Sequence, residues 1–206
     1  MYSYYRQTLN VLLTLAALLF VSSAWAETNS AFNTANIHIK NFGRTNGNYY
    51  RGAQPDKKDY SALAALGVKT VIDLTRDGRS DEQALVQRAG MKFYRIPLTT
   101  SDWPSEASVT QFLKLVKDPA NWPVFVHCQG GRHRTGAMTA VYRITQDGWT
   151  ADRAYQEMRQ YGFETFIGHP ELKRFVYDYY ATFAQARPSR TAQNEKAEGA
   201  AAGTSK

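Results

Sequence analysis

A single cysteine, Cys128, stands in a chain of 206 residues. No intramolecular disulfide is therefore possible, and the fold must be held by a packed core alone. Lys/Arg-rich blocks are absent too, so nothing in the charge pattern points to nucleic acid as a partner. No spacing of His, Cys and carboxylates resembles a metal-binding motif, so neither a metal nor a cofactor is expected. Internal repeats are missing. Apolar runs long enough to span a bilayer are missing as well, since that takes about 20 residues. The longest run, VLLTLAALLFV over 11–21, is too short and sits between a segment carrying Arg6 without any acid and the small-residue site Ala24-Trp25-Ala26. That layout predicts a secretory signal peptide over 1–26, hence export to the periplasm and no membrane span after cleavage. A lipid anchor would need a cysteine at the cleavage site, and none is there. After Phe183 no apolar side chain larger than alanine occurs. The segment 187–206 cannot bury surface and reads as a disordered tail, as 27–35 reads as a flexible leader.

What remains, residues 36–186, suits one domain, because 43% of the chain is hydrophobic and 13% aromatic. Beyond Ala26 the chain keeps 24 basic and 18 acidic residues, a net charge of +6 that favours anionic substrates or surfaces. Within the domain, strand-like and helix-like segments alternate. An extended piece over 48–51 precedes a helix over 57–66 stopped by Gly67. KTVIDL over 69–74 reads as a buried strand. A helix over 80–89 has Ser80 and Gln83 in capping-box spacing. MKFYRIPL over 91–98 is a second strand, and Val109, Phe112, Leu113 and Val116 make one helical stripe. PVFVH over 123–127 is a third strand, and helices follow over 135–146, 151–161 and 171–184. Strands separated by amphipathic helices predict an α/β fold with a mostly parallel central sheet flanked by helices. Ligands in such sheets bind beyond the carboxyl ends of the strands.

The third strand runs straight into His127-Cys128-Gln129-Gly130-Gly131-Arg132-His133-Arg134-Thr135-Gly136. Two glycines let the backbone curl so that successive N–H groups face inward and form an anion-binding nest. A helix expected from Thr135 adds its own unpaired N–H groups. Arg134 can hold two phosphate oxygens with its planar fork. The same positive potential favours a thiolate, which makes Cys128 the expected nucleophile on phosphorus. Gln129, Gly130, Gly131, Arg132, His133 and Arg134 are then the phosphate-binding loop. The Thr135 hydroxyl is expected to help the sulfur leave, and His127 to orient the loop rather than act as base. With no resolving cysteine, oxidation of Cys128 cannot be rescued by an internal disulfide.

HCQGGRHRTG resembles the His-Cys-x5-Arg-Ser/Thr-Gly signature of cysteine-dependent protein tyrosine phosphatases. NYYRGAQP, LGVKTVIDL and FYRIPL are similar to the amino-terminal half of compact dual-specificity-like members from plants, fungi and bacteria, periplasmic tyrosine phosphatases among them. The resemblance covers about 41–180 and implies the protein tyrosine phosphatase-like fold, a cysteinyl-phosphate intermediate and no metal. Low-molecular-weight phosphatases carry their loop near the amino terminus, and rhodanese-like sulfurtransferases lack the Arg-Thr-Gly continuation into a helix.

The family also implies a general acid, an aspartate on a loop upstream of the cysteine. Asp102, 26 residues before Cys128, takes that place, although the order Asp102-Trp103-Pro104 departs from the Trp-Pro-Asp of larger members. Its other reading is a cap on the helix that follows; Asp77 and Glu106 are the reserves, and Asp73 sits in a strand. The expected substrate is a phosphotyrosine protein. Arg132 and His133 also suit inositol polyphosphates or phosphoinositide head groups, and a non-catalytic phospho-binding module is the reading from a different class.

Overall fold

The computed structural model describes residues 34, 36–164 and 170–186. The expected signal peptide over 1–26, the leader apart from residue 34, and the tail over 187–206 lie outside them. The described residues from Asn36 onward form one compact unit.

Its centre is a five-stranded sheet, β1 (Gly43–Asn46), β2 (Tyr49–Ala53), β3 (Thr70–Thr75), β4 (Lys92–Leu98) and β5 (Val124–Cys128), in the order β1-β2-β5-β3-β4. Only the β1–β2 pair is antiparallel, and β2, β5, β3 and β4 run parallel. This is the mostly parallel α/β arrangement expected. β5 is central because VFVHC is buried at every position, which only a strand covered on both faces tolerates. β1 was not foreseen: GRTN has no apolar alternation, and its pairing to β2 makes it a strand.

Six α-helices complete the described fold: α1 (Asp59–Ala65), α2 (Glu82–Arg88), α3 (Glu106–Lys117), α4 (His133–Gln146), α5 (Ala151–Gln160) and α6 (Pro170–Ala186). Val109, Phe112 and Val116 of α3, and Leu172, Phe175 and Val176 of α6, are buried as their stripes predicted. Three helix starts differ from expectation. The Ser80–Gln83 capping box does not form; α2 starts at Glu82, its N-cap Asp81 makes no side-chain cap bond, and the Asp81 carboxylate accepts instead from Arg79 Nε at 3.0 Å and Nη2 at 2.9 Å. α3 is capped by Ser105, whose hydroxyl accepts from the Ser108 N–H, so Asp102 is no cap. α4 starts at His133, two residues early.

Strand alternation divides the core into two faces. Val124, Val126 and Cys128 join Ile72 and Leu74 against Phe112, Met138, Val141, Met158 and Val176 of the helices. Phe125 and Val71 face the other way, against Tyr60 and Leu63 of α1 and Val86 of α2. His127 and Asp73, paired in register across β5 and β3, close that second face at the carboxyl end of the sheet.

Candidate active site

At the end of β5 the chain turns over the edge of β2, and three successive carbonyls are pinned from outside. The Gln54 backbone N–H donates to Gln129 O at 3.3 Å, Asn41 Nδ2 to Gly130 O at 2.7 Å, and Arg51 Nη2 to Gly131 O at 3.0 Å. A run of peptides whose carbonyls are all held outward leaves its N–H groups for the other side, where an anion can sit. Gly131 has φ +67°, and a Cβ there would stand 2.5 Å from the Gly52 carbonyl carbon. Only glycine permits that conformation against that neighbour.

α4 opens without a side-chain cap on Arg132, and the first N–H groups of a helix, which lack intrahelical acceptors, are suited to an anionic ligand. Arg134 therefore lies in the first helical turn rather than before it. It is buried, and its Nη1 donates to Leu98 O at 3.2 Å, tying it to the end of β4. Cys128 is a free thiol, 3% exposed. Thr135 is fully buried, and its hydroxyl has no hydrogen-bond partner, so the contact expected with the sulfur is not made in this state.

Cys128, Gln129, Gly130, Arg132, His133 and Arg134 line one face of an open cavity of about 680 Å³. Lys40 and Asn41, Arg76 and Asp77, and Thr99 to Ser101 supply most of the remaining wall, with Ala53 and Leu98. Asp102 is exposed and is not part of that wall. Its carboxylate accepts from Thr99 Oγ1 at 2.7 Å, and its N–H donates back to the same hydroxyl at 3.0 Å. The next residue, Trp103, is held to α6: its Nε1 donates to Glu171 Oε2 at 3.1 Å and its ring lies 6.1 Å from that of Phe175. Asp77 reaches the wall because residues 76–79 fold back over β3; a Cβ on Gly78 would stand 2.3 Å from Asp73 Oδ2. Glu106 begins α3 and is exposed.

Behind the loop lies a buried charged network that sequence reasoning missed. Glu82 of α2 accepts from Tyr60 Oη and from Gln54 Nε2, both at 2.8 Å. His127 Nε2 lies 2.9 Å from Glu82 Oε1, close but poorly aligned for a hydrogen bond, and its Nδ1 is 3.9 Å from Asp73 Oδ1. Arg95 Nε donates to Asp73 Oδ2 at 2.7 Å, and the Thr75 hydroxyl donates to the same carboxylate. Burial pushes the Glu82 carboxyl up, but His127, Tyr60 and Gln54 outweigh it, so the group titrates below the ordinary carboxylate range. Tyr60 moves the opposite way, raised by burial and by the Glu82 charge. Ligand atoms of Asp73, Glu82 and His127 lie within 4.8 Å of one another, a spacing compatible with a metal ion. The sequence reading saw no such cluster because strand register and α2 bring together residues far apart in the chain. Here the two carboxylates already answer to Arg95, Thr75, Tyr60 and Gln54.

A family model described as "DSP-PTPase phosphatase fused to NAD+ Kinase" matches residues 26–171. The chain belongs to that dual-specificity phosphatase family. It is 34% identical over 124 residues to the dual specificity protein phosphatase TpbA of Pseudomonas aeruginosa, which covers 60% of this chain and 55% of TpbA. It is 28% identical over 141 residues to the inositol diphosphatase SIW14 of Saccharomyces cerevisiae, covering 66% of this chain and 50% of SIW14. The chain thus spans about half the length of these curated relatives. A crystal structure of a cysteine-to-serine variant of P. aeruginosa TpbA in complex with pTyr superposes with a TM-score of 0.59 at 25% identity, over 76% of this chain and 99% of that one.

Of the expected loop residues 128–134, all but Gly131 line one cavity, while Asp102 is beside it. Three residues escaped the sequence reading. Asn41 and Arg51 hold the loop but lie in segments that carry no motif of their own chemistry, and Glu82 sits on a short helix as an ordinary polar residue. Only the YRGAQP phrase, which includes Arg51 and Gln54, marked that region at all.

Proposed function

We propose that this chain hydrolyses phosphate monoesters through a cysteinyl-phosphate intermediate on Cys128, with a phosphotyrosine-bearing protein as substrate. The observation that carries this reading is the run of three outward-pinned carbonyls at Gln129, Gly130 and Gly131, beside Arg134 and facing a cavity that Cys128 lines. A phosphoryl group placed there has its equatorial oxygens held by loop N–H groups and by the Arg134 fork. The sulfur attacks phosphorus, the P–O ester bond breaks, and the leaving oxygen takes a proton. Water then attacks the phosphorus, its proton passes to the base, the P–S bond breaks, and the Cys128 thiolate is restored, the Thr135 hydroxyl turning to the sulfur as donor.

Asp102 is the proposed proton donor in the first half and base in the second. It reaches the cavity only when its carboxylate leaves Thr99 and residues 99–105 swing inward. Asp77, already in the wall, is the reserve. Support for phosphotyrosine comes from the TpbA variant solved with pTyr. A second reading, an inositol polyphosphate or phosphoinositide head group, is favoured by Lys40, Arg76 and Arg132. All three line the cavity, and among the described residues none has a carboxylate in ion-pair reach. SIW14, named an inositol diphosphatase, supports it too. Export to the periplasm through residues 1–26 is part of the proposal. No helix among the described residues is long and apolar enough to cross a membrane.

The test is hydrolysis of p-nitrophenyl phosphate by the chain, with reductant and without added metal, beside Cys128→Ser. Turnover in the first and a loss of roughly 10⁴-fold or more in the second support the mechanism. A wild-type chain that binds phosphate without turning it over is a binding module instead. Phosphotyrosine peptide and inositol hexakisphosphate, offered side by side, separate the two substrate readings.

A further inference from the structure

Of the three donors that pin the cysteine loop, one is charged. Arg51 is fully buried in β2. It registers with Val126 of β5, so its side chain shares the sheet face of Cys128. Nη2 holds the Gly131 carbonyl at 3.0 Å, and the Tyr161 ring covers the guanidinium with its centroid 3.9 Å away. Nε and Nη1 have no hydrogen-bond partner. No carboxylate is in ion-pair reach of it among the described residues. The titratable groups that face it are Tyr49 on its own strand, Glu157 from α5, Tyr161 just beyond α5, and Cys128 at the end of β5. Burial pushes the guanidinium down from its ordinary value, which those neighbours partly oppose.

A buried cation without a counter-ion is expensive, so the groups around it that can take negative charge matter. Among its neighbours, Cys128 is the group that becomes anionic, or carries an anion, in the proposed reaction. Asn41 and Gln54 could hold the loop's shape with neutral donors alone, so a charge in the third place has a different consequence.

We infer that Arg51 is a positioning residue for the phosphate cradle: through the Gly131 carbonyl it orients the loop peptides, and it places a permanent positive charge beside the Cys128 sulfur. The inference rests on the part of the proposed function in which the loop cradles a phosphate beside a Cys128 thiolate. It differs from the role of Arg134, which lines the cavity and touches the substrate.

Three readings on the full chain test it: the pH dependence of Cys128 alkylation by iodoacetamide, protection of that alkylation by inorganic phosphate, and kcat and KM on p-nitrophenyl phosphate. In Arg51→Met the alkylation midpoint moves up by about one pH unit. Phosphate protection weakens about tenfold, and kcat falls about 10²-fold with a smaller change in KM. Arg51→Lys keeps the charge and loses the fork. Its midpoint stays near wild type while kcat falls about tenfold. A folded Arg51→Met with wild-type midpoint and wild-type phosphate protection overturns the inference. So does an Arg51→Lys variant with wild-type kcat, or one whose midpoint moves, and that variant decides the matter if the methionine chain does not fold. Alkylation and protection need no turnover. A wild type inert on the aryl phosphate, with both readings still shifted by Arg51→Met, would sink the hydrolase reading and leave this one standing.

Discussion

Two loops border the cavity, and they are built in opposite ways. Residues 128–134 are clamped by groups from elsewhere in the fold: Asn41, Arg51 and Gln54 on one side, Leu98 O on the other. Residues 99–105 are held in part by their own neighbours. Thr99 bonds to Asp102 and Ser105 to Ser108, and the exposed Trp103 is attached to α6. The difference matches what each half of the proposed reaction needs. Binding an anion requires N–H groups that do not reorganise when charge arrives, which a loop wedged into a core provides. Delivering a proton requires a side chain that approaches and retreats, and exposed local hydrogen bonds worth about 0.5–1.5 kcal/mol each allow that.

Five substitutions break or sharpen this contrast. The largest effect belongs to Gly131→Ala. Its positive φ and its approach to the Gly52 backbone leave no room for a methyl group, so the loop must lift off β2. We expect kcat on an aryl phosphate to drop by about 10²–10³-fold. Near-normal turnover would show that the clamp is dispensable. Asp102→Asn should lower turnover about 10²-fold and abolish the limb of the pH–rate profile where rate declines as the acid loses its proton. If Asp77→Asn does this and Asp102→Asn does not, the acid belongs to the fold-back over β3 and the contrast between the loops is wrong.

Glu82→Gln tests the network behind the clamped loop. Because the folded carboxyl titrates below its unfolded value of about 4.3, its stabilising contribution is complete above that pH and is lost as pH falls through the folded value. The variant should lose about 1–3 kcal/mol in urea melts at pH 7 and show a flatter decline below pH 4. An unchanged acid limb of stability would mean that Glu82 contributes nothing. The smallest effect is Trp103→Phe, which removes only the bond to Glu171 at an exposed position. Stability should change by no more than about 0.5 kcal/mol and kcat by no more than about threefold. A larger shift would mean that the acid loop is anchored after all.

The contrast was half visible in the sequence. A strand of β-branched residues delivering a cysteine to two glycines and an arginine has few alternative readings, because each residue type serves local backbone geometry. The acid loop was harder to read. Asp102 and Pro104 at the head of a helix satisfy a capping pattern as well as a catalytic one, and the choice of Ser105 as cap depended on a turn at Thr99 that no periodicity signals. The capping box at Ser80 failed for a similar reason: Arg79 beside Asp81 offered the carboxylate a charged partner.

What the sequence determined by itself is what adjacent residues determine together: the order of β2 to β5 and of the helices, the apolar stripes of α3 and α6, and the curl of residues 128–134. Parallel pairing decided the rest. It set β2 beside β5, so that Arg51 meets Gly131 across 80 positions of chain, and it set Asp73 against His127. A buried guanidinium beneath a carbonyl, or a glutamate stripped of water by a tyrosine and a glutamine, is a relation between distant segments. Its energy comes from desolvation and register, and neither exists until the sheet has formed.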